Sequence, residues 1–224
     1  DKSNKKWLLG EAAYVDKNAV AMQFFSDLIW KEKIAPTPAI TGDLGSKDMF
    51  MTGKVGMCTY GRWMCMDFKN IKGFDWDVAV LPKGKQRASC LFVVCYSIAA
   101  QTKHPEASWQ LIKFLTGDEG QIAVAESGHA IPSRKSIANT AHFLEAKVIG
   151  KKINAKAFLD QVGYGRPVPT HPNWNEINER LGREMELLFL NKKEMTAKKT
   201  IENVQKDIDE ILSKPVDCGD MAKK

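Results

Sequence analysis

One short stretch, KDMFMTGKVGMCTYGRWM at residues 47–64, constrains the fold of this chain more than any other part of the sequence. Its apolar spacing predicts an amphipathic helix that ends at Gly53 and a short buried strand over residues 55–60. A turn is expected at Gly61, and a second helix is expected to begin at Arg62. The stretch therefore predicts helix, strand and helix in immediate succession.

The rest of the chain repeats this alternation. A helix is predicted over residues 17–32, and residues 75–81 alternate in polarity as a strand does. CLFVVCYSIAA over residues 90–100 is a continuous apolar run, which is typical of a strand covered on both faces. Two closing helices carry apolar stripes spaced for core packing. The members of these stripes are Ile177, Leu181, Met185 and Leu188, and then Ile201, Val204, Ile208 and Ile211. Strands that alternate with helices indicate an α/β fold.

The charge balance is basic, with a net charge of +6 and a pI near 9.0. Such a balance keeps a basic nucleic-acid-binding module open as an alternative function. The lysines are scattered, however, with small clusters such as 151–156 and 192–199, and no aromatic-interleaved basic motif accompanies them. Solvated helix faces are the favoured interpretation. No apolar run approaches the ~20 residues that a membrane-spanning helix needs.

The five cysteines form neither a CxxC pair nor a metal-ligand spacing, so no metal site is predicted. Cys58, Cys90 and Cys95 lie in apolar strand-like runs and Cys65 lies in a helix, which favours buried free thiols. One disulfide remains possible, with Cys218 as the odd residue.

A second alternative is an enzyme that acts on glycosides. Asp75 and Asp77 would share one face of a strand, and a glycosidase needs a pair of carboxylates. No third catalytic group flanks them, and the four histidines have no metal or triad companion at a recognisable spacing. The sequence also lacks a glycine-rich phosphate loop, so no catalytic residue and no cofactor is predicted.

The predicted strand end at Tyr60 places a phenol, a guanidinium and an indole at one point, because Arg62 and Trp63 follow directly after the turn. Flat aromatic surfaces suit the C–H faces of a sugar ring, and planar polar groups suit its hydroxyls. We therefore expect a polar, ring-shaped ligand at this point of the chain.

The same stretch carries a family resemblance. Phe50, Gly53-Lys54, Met57 and Gly61-Arg62-Trp63 resemble the "F…GK.AM…G.W" block of bacterial extracellular solute-binding proteins, the sugar-binding subunits of ABC importers. FDWDVAVLPKG over 74–84, YSIAAQTKHPEASWQLIKFLTGDEGQ over 96–121 and GHAIPSRKS over 128–136 resemble later blocks of that family, in the same order. The tail over 166–214 resembles its closing helices.

The resemblance implies a periplasmic-binding-protein-like fold of type II. It also implies that the chain is the later part of a longer protein, with the second lobe and part of the first. On the family's pattern, residues 1–88 belong to the second lobe, residues 89–150 cross to the first, and residues 151–224 return to the second through a hinge. The partners implied are the missing N-terminal lobe, a carbohydrate ligand and the membrane-embedded permease subunits of an ABC transporter. The protein itself is expected outside the cytoplasm, in the periplasm or lipid-anchored at the cell surface.

The resemblance further implies ligand-binding roles for aromatic residues. Trp63 would stack on the sugar, or else anchor the helix start as a core residue. Trp174 would close the cleft, or else pack as a hydrophobic staple against the helix that starts near Asn175. Tyr60 ends a strand, where binding loops begin. Phe92 stands where the family commonly has glycine, which means a fuller binding site or merely a packed strand.

Two arginines complete the candidate site. Arg62 and Arg166 could donate paired hydrogen bonds to ring hydroxyls, to a carboxylate or to a phosphate. Either could instead form an ordinary surface ion pair. If both point into the site, an anionic sugar is favoured over a neutral one.

Overall fold

The computed structural model describes residues 9–11, 13–168, 171–191 and 195–214. Most of the regular structure is helical. The α-helices are α1 Val15–Trp30, α2 Pro38–Leu44, α3 Ser46–Met51, α4 Cys65–Phe68, α5 Pro105–Thr116, α6 Asp118–Ser127, α7 Lys135–Ala138, α8 Ala141–Leu144, α9 Lys156–Val162, α10 Trp174–Phe189 and α11 Ala197–Ser213. Short 3-10 turns cover Arg62–Met64 and Lys147–Ile149, and the strands are β1 Ser89–Leu91 and β2 Gly165–Pro167.

The chain divides into two compact units. One unit combines residues 1–45 with residues 169–224, and the other is residues 46–168. The assignment of residues 1–88, 89–150 and 151–224 to two lobes stays a prediction.

The unit formed by the two ends of the chain has a helical core. Ile177 on α10 and Val204 and Ile208 on α11 are fully buried. Each such side chain contributes about 1.5–3 kcal/mol by leaving water. Helix α1 joins this core unit, and the indole nitrogen of Trp30 donates to the carbonyl oxygen of Phe189 at 2.9 Å. Both closing helices therefore pack through the stripes that the sequence predicted.

The central unit is built around an aromatic core. Phe68 lies between two other rings, with its centroid 4.8 Å from Phe50 and 5.8 Å from Trp76. Phe143 on α8 is fully buried in the same cluster. Edge-on and tilted ring contacts of this kind add about 0.5–1.5 kcal/mol each beyond the burial of area.

The strand predictions are mostly wrong. Residues 55–60 and 75–81 lie outside helices and strands. Of the predicted strand over 90–100, only residues 90–91 are in a strand, as part of β1. β1 pairs in parallel with β2, and Cys90 is opposite Arg166 in the register. A strand is stabilised by hydrogen bonds to a neighbouring strand. The apolar pattern of one segment does not indicate whether such a neighbour is present.

The run over 90–100 is also not covered on both faces. Phe92, Val93 and Val94 are 63%, 72% and 83% exposed. A run of this composition needs a layer on each side to be buried, and the two-stranded ladder supplies none. Within the described residues this run is an exposed apolar segment.

Four of the cysteines are described, and all four are free. Cys65 is buried and Cys58 is half-buried, as the sequence predicted, but Cys90 and Cys95 are exposed because the run that carries them is exposed. Cys218 lies outside the described residues. No group of metal-ligating side chains occurs among the described residues, and none of the described helices is long and apolar enough to cross a membrane.

Candidate functional site

The turn at Gly61 shapes the surface around Trp63. A β-carbon added to Gly61 would lie 2.0 Å from a carbon of the Trp63 ring. No real contact is that short, so the indole can fold back over the backbone at this turn only because residue 61 is glycine. The 3-10 turn Arg62–Met64 follows immediately and leads into α4.

Trp63 and Phe92 form an exposed aromatic pair. Their ring centroids are 6.4 Å apart and their planes meet at 82°, which is an edge-to-face contact. Trp63 is 48% exposed and Phe92 is 63% exposed. Each ring is partly open to solvent and can offer its own flat apolar face, which is what the face of a sugar ring requires.

Tyr60 is half-buried in the central unit. Its ring lies edge-on to Phe68, with centroids 5.9 Å apart. Its hydroxyl is hydrogen-bonded to the hydroxyl of Ser46 at the start of α3. The phenol is therefore already engaged within the protein.

Arg62 is buried, although it neighbours the exposed Trp63. The residue is 3% exposed, and its guanidinium carbon lies 4.7 Å from the centre of the Phe143 ring and 5.6 Å from that of Phe158. Neither Nε nor Nη1 has a hydrogen-bond partner among the described residues. Burial lowers the pKa of Arg62 from its ordinary value, and the nearby Cys65 acts in the opposite direction.

The remaining two candidates, Arg166 and Trp174, belong to different units of the chain. Arg166 on β2 is exposed, and its Nη1 donates to the carbonyl oxygen of Gly165 at 3.0 Å. Trp174 begins α10 in the other unit, where it is half-buried and packs against the core that contains Ile177. Within the central unit, Trp63 and Phe92 are the two candidates whose rings are in contact.

A match to a protein family shows which class of protein this chain belongs to. Residues 11–149 match the family of bacterial extracellular solute-binding proteins, which is more than half of the chain. The chain belongs to this family.

Individual solute-binding proteins are similar to this chain over most of its length. A galactooligosaccharide-binding protein from Bacillus subtilis is 28% identical over 167 residues, which is 72% of this chain and 37% of the relative. The fold is similar to that of an ABC substrate-binding protein from Listeria monocytogenes in complex with cycloalternan, with a TM-score of 0.71 and 21% identity. That match covers 88% of this chain and 50% of the other.

A second solved structure, the maltose-bound MalE3 of T. maritima, has a TM-score of 0.68 and 23% identity and covers 92% of this chain and 52% of that one. These structures confirm the predicted fold, a partial periplasmic-binding-protein-like α/β fold. The chain spans about half the length of the solved structures and 37% of the curated relative. Membership of this extracellular solute-binding family places the protein outside the cytoplasm.

Sequence reasoning missed the surroundings of Arg62 in this solute-binding chain. Arg62 lines an open cavity of about 390 Å³ together with residues of the segment 144–153, including Lys151 and Lys152. Two members of the lysine cluster over 151–156 line this cavity, but the sequence analysis interpreted the cluster as a solvated helix face. Nothing in the sequence linked that cluster with Arg62, because the two lie far apart along the chain.

Proposed function

We propose that this chain is part of the substrate-binding component of an ABC importer, which captures a carbohydrate between two lobes and delivers it to the permease. The observation that carries the proposal is the exposed edge-to-face pair of Trp63 and Phe92. An exposed pair of aromatic rings has an energetic cost in water, which a stacked sugar would relieve by covering the rings.

The relatives support a saccharide as the ligand. The ligands named for them are galactooligosaccharide, cycloalternan and maltose, and all three are carbohydrates. A neutral oligosaccharide is favoured over an acidic one at the aromatic pair, because Arg62 and Arg166 do not both reach it. Arg62 is buried against Phe143, and Arg166 donates to its own neighbour's carbonyl.

The carboxylates argue for binding without turnover. Asp77 accepts hydrogen bonds from the backbone N–H groups of Val78 at 2.8 Å and Asn154 at 2.6 Å, which makes it a structural group. Asp75 pairs with Lys151 at 3.3 Å. Asp77 is thus engaged by backbone donors and Asp75 by a lysine. A chromogenic glycoside that is turned over by the protein, with loss of turnover in Asp77→Asn, would contradict this part of the proposal.

The basic charge does not favour nucleic acid as the ligand. Several lysines are neutralised locally, as in the pairs Lys156–Asp160, Lys198–Asp16 and Lys214–Glu176. Binding to nucleic acid would weaken steeply with salt, because it releases counterions, whereas saccharide binding should hardly respond.

Lobe closure and delivery follow from the same proposal. Closure over the ligand predicts that saccharide lowers the radius of gyration of the full-length protein in X-ray scattering. Delivery predicts that the loaded protein stimulates ATP hydrolysis by an importer reconstituted in membranes. An unchanged scattering profile at saturating saccharide would contradict closure.

A thermal-shift screen of the full-length protein tests the ligand class. The panel is maltose, a galactooligosaccharide, galacturonate and glycerol as a polyol control. A ligand that binds the native state raises the melting temperature in proportion to RT ln(1 + [L]/Kd). We expect the neutral oligosaccharides to raise it at both low and high salt. A panel in which no saccharide exceeds glycerol would contradict the proposal.

A further inference from the structure

The cavity beside Arg62 is separate from the aromatic pair of the proposed saccharide site. It has a volume of about 390 Å³, which falls in the size range of small-molecule sites. It lies within the central unit, lined by Arg62 and by residues of the segment 144–153, and neither Trp63 nor Phe92 belongs to its wall.

The guanidinium of Arg62 has fewer acceptors than a buried cation needs, because the neighbouring Cys65 thiol is only a weak acceptor. It carries five N–H donors, stays charged in proteins and cannot accept a hydrogen bond. Its Nε and Nη1 find no acceptor among the described residues, and the residue is 3% exposed. The rings of Phe143 and Phe158 stabilise the charge through their faces but accept no hydrogen bond of ordinary strength. A buried charge with so few acceptors is costly, so we expect the group that completes Arg62 to be a hydrogen-bond acceptor, and best an anion.

The rest of the cavity wall has the same electrostatic sign. Its ionisable side chains besides Arg62 are Lys147, Lys151, Lys152 and Glu145. Lys151 is already paired with Asp75 at 3.3 Å and lies over the ring of Trp76. The wall thus has four cationic groups and one carboxylate, and its field favours an anion.

We propose that this cavity binds a small oxyanion, either a carboxylate or a phosphate, through Arg62, Lys147 and Lys152. A guanidinium fork matches two oxygens of either group in a bidentate arrangement, and two flexible ammonium groups add charge. The inference goes beyond the proposed function and does not depend on the saccharide, because the cavity wall does not include the aromatic pair.

The test is the thermal unfolding of the 224-residue chain in inorganic phosphate, sodium galacturonate or neutral galactose. Sodium chloride keeps the ionic strength equal in every sample, so that general screening does not differ between them. At about ten times the Kd, a bound oxyanion should raise the melting temperature by about 3 °C or more. Galactose should have no such effect through this site. A response to phosphate alone identifies a phosphate-type ligand, a response to galacturonate alone identifies a carboxylate, and both outcomes support the proposal.

Variants assign the response to the cavity. Arg62→Met keeps an unbranched side chain at this position and removes the charge, so the oxyanion shift should be lost. Arg87→Met is the matched control, because Arg87 also lies over a ring, 5.7 Å from the centre of Tyr164, but is exposed and outside the cavity wall.

A surface variant keeps the test decisive if Arg62→Met does not fold. Lys147 and Lys152 are exposed, so a Lys147→Gln/Lys152→Gln double variant should fold. Its apparent affinity for the oxyanion, taken from the melting temperature against oxyanion concentration, should fall at least several-fold. An unchanged shift in the double variant, or the absence of any shift in the unsubstituted protein, would overturn the proposal.

Discussion

The indole of Trp63 occupies the space that a side chain on Gly61 would need, since a β-carbon at residue 61 would lie 2.0 Å from the nearest ring carbon. The same indole meets Phe92 edge-to-face at 6.4 Å. The glycine therefore determines where the tryptophan ring can lie, and the ring in turn forms the exposed aromatic surface.

Substitution of Gly61 should affect binding more than folding. In Gly61→Ala the new methyl group displaces the Trp63 ring, and we expect saccharide affinity to fall by about tenfold, part of what an aromatic anchor contributes. Stability should change by less than about 1 kcal/mol, because the displaced ring is half-exposed. Calorimetric titration and urea unfolding measure the two quantities.

Gly56 supplies the control for that substitution. A β-carbon at Gly56 would meet nothing within 4 Å, so Gly56→Ala should bind as the unsubstituted protein does. If Gly61→Ala and Gly56→Ala had equal affinities, the link between the glycine and the aromatic surface would be wrong.

The core of the closing helices should be sensitive to cavities. Ile208 on α11 is fully buried against the stripe of α10, and Ile208→Ala should lower the free energy of unfolding by about 2–5 kcal/mol. Val20 on α1 is 72% exposed, and Val20→Ala should stay within about 0.5 kcal/mol. Urea unfolding compares the two variants. A similar midpoint for both would show that the packing of this unit is misassigned.

The described thiols should differ in reactivity. The thiolate is the reactive form, so a buried thiol with a raised pKa is protected twice, by access and by ionisation. Burial raises the pKa of Cys65, whereas Cys90 and Cys95 are exposed. Iodoacetamide followed by peptide mass mapping should find Cys90 and Cys95 labelled well before Cys65. Early labelling of Cys65 in the native protein would contradict its placement.

The buried Cys65 thiol should also contribute to alkaline destabilisation. Its pKa is raised above the ordinary value of 9.0 mainly by burial, so the unfolded chain loses this proton at a lower pH than the folded chain. Above about pH 9 the folded state binds more protons, and stability then falls as the pH rises. Cys65→Ala should show a shallower decline between about pH 9 and the folded pKa than a Cys90→Ala control. Equal slopes would exclude this contribution.

The helices were predictable and the strands were not, for one physical reason. The stripes through Ile177 and Ile208 follow from a local repeat of 3.6 residues, which any chain segment reveals by itself. A strand over 55–60 or 75–81 needs a partner at hydrogen-bonding distance, and the local pattern contains no information about that partner. The apolar run around Phe92 was misjudged in the same way, since burial depends on layers that the segment does not encode.

The candidate site was predictable to the same extent. The turn at Gly61 indicated that Trp63 would be exposed, and it is. The burial of Arg62, one residue earlier, depends on Phe143 and Phe158, which lie far along the chain and become its neighbours only through the tertiary fold. Neighbouring side chains in a 3-10 turn point in different directions, and the sequence alone did not show which of the two would enter the core.

If Trp63 is the aromatic anchor of a saccharide site, its removal should weaken binding in calorimetric titration of the full-length protein. The comparison is between Trp63→Ala and Trp109→Ala, because Trp109 is an equally exposed indole, at 50%, that lies on α5 and contacts Lys113. We expect Trp63→Ala to weaken binding of the saccharide selected by the thermal screen by about 2 kcal/mol, or about 30-fold, and Trp109→Ala to leave it unchanged. Undiminished affinity in a folded Trp63→Ala protein would contradict this role of Trp63.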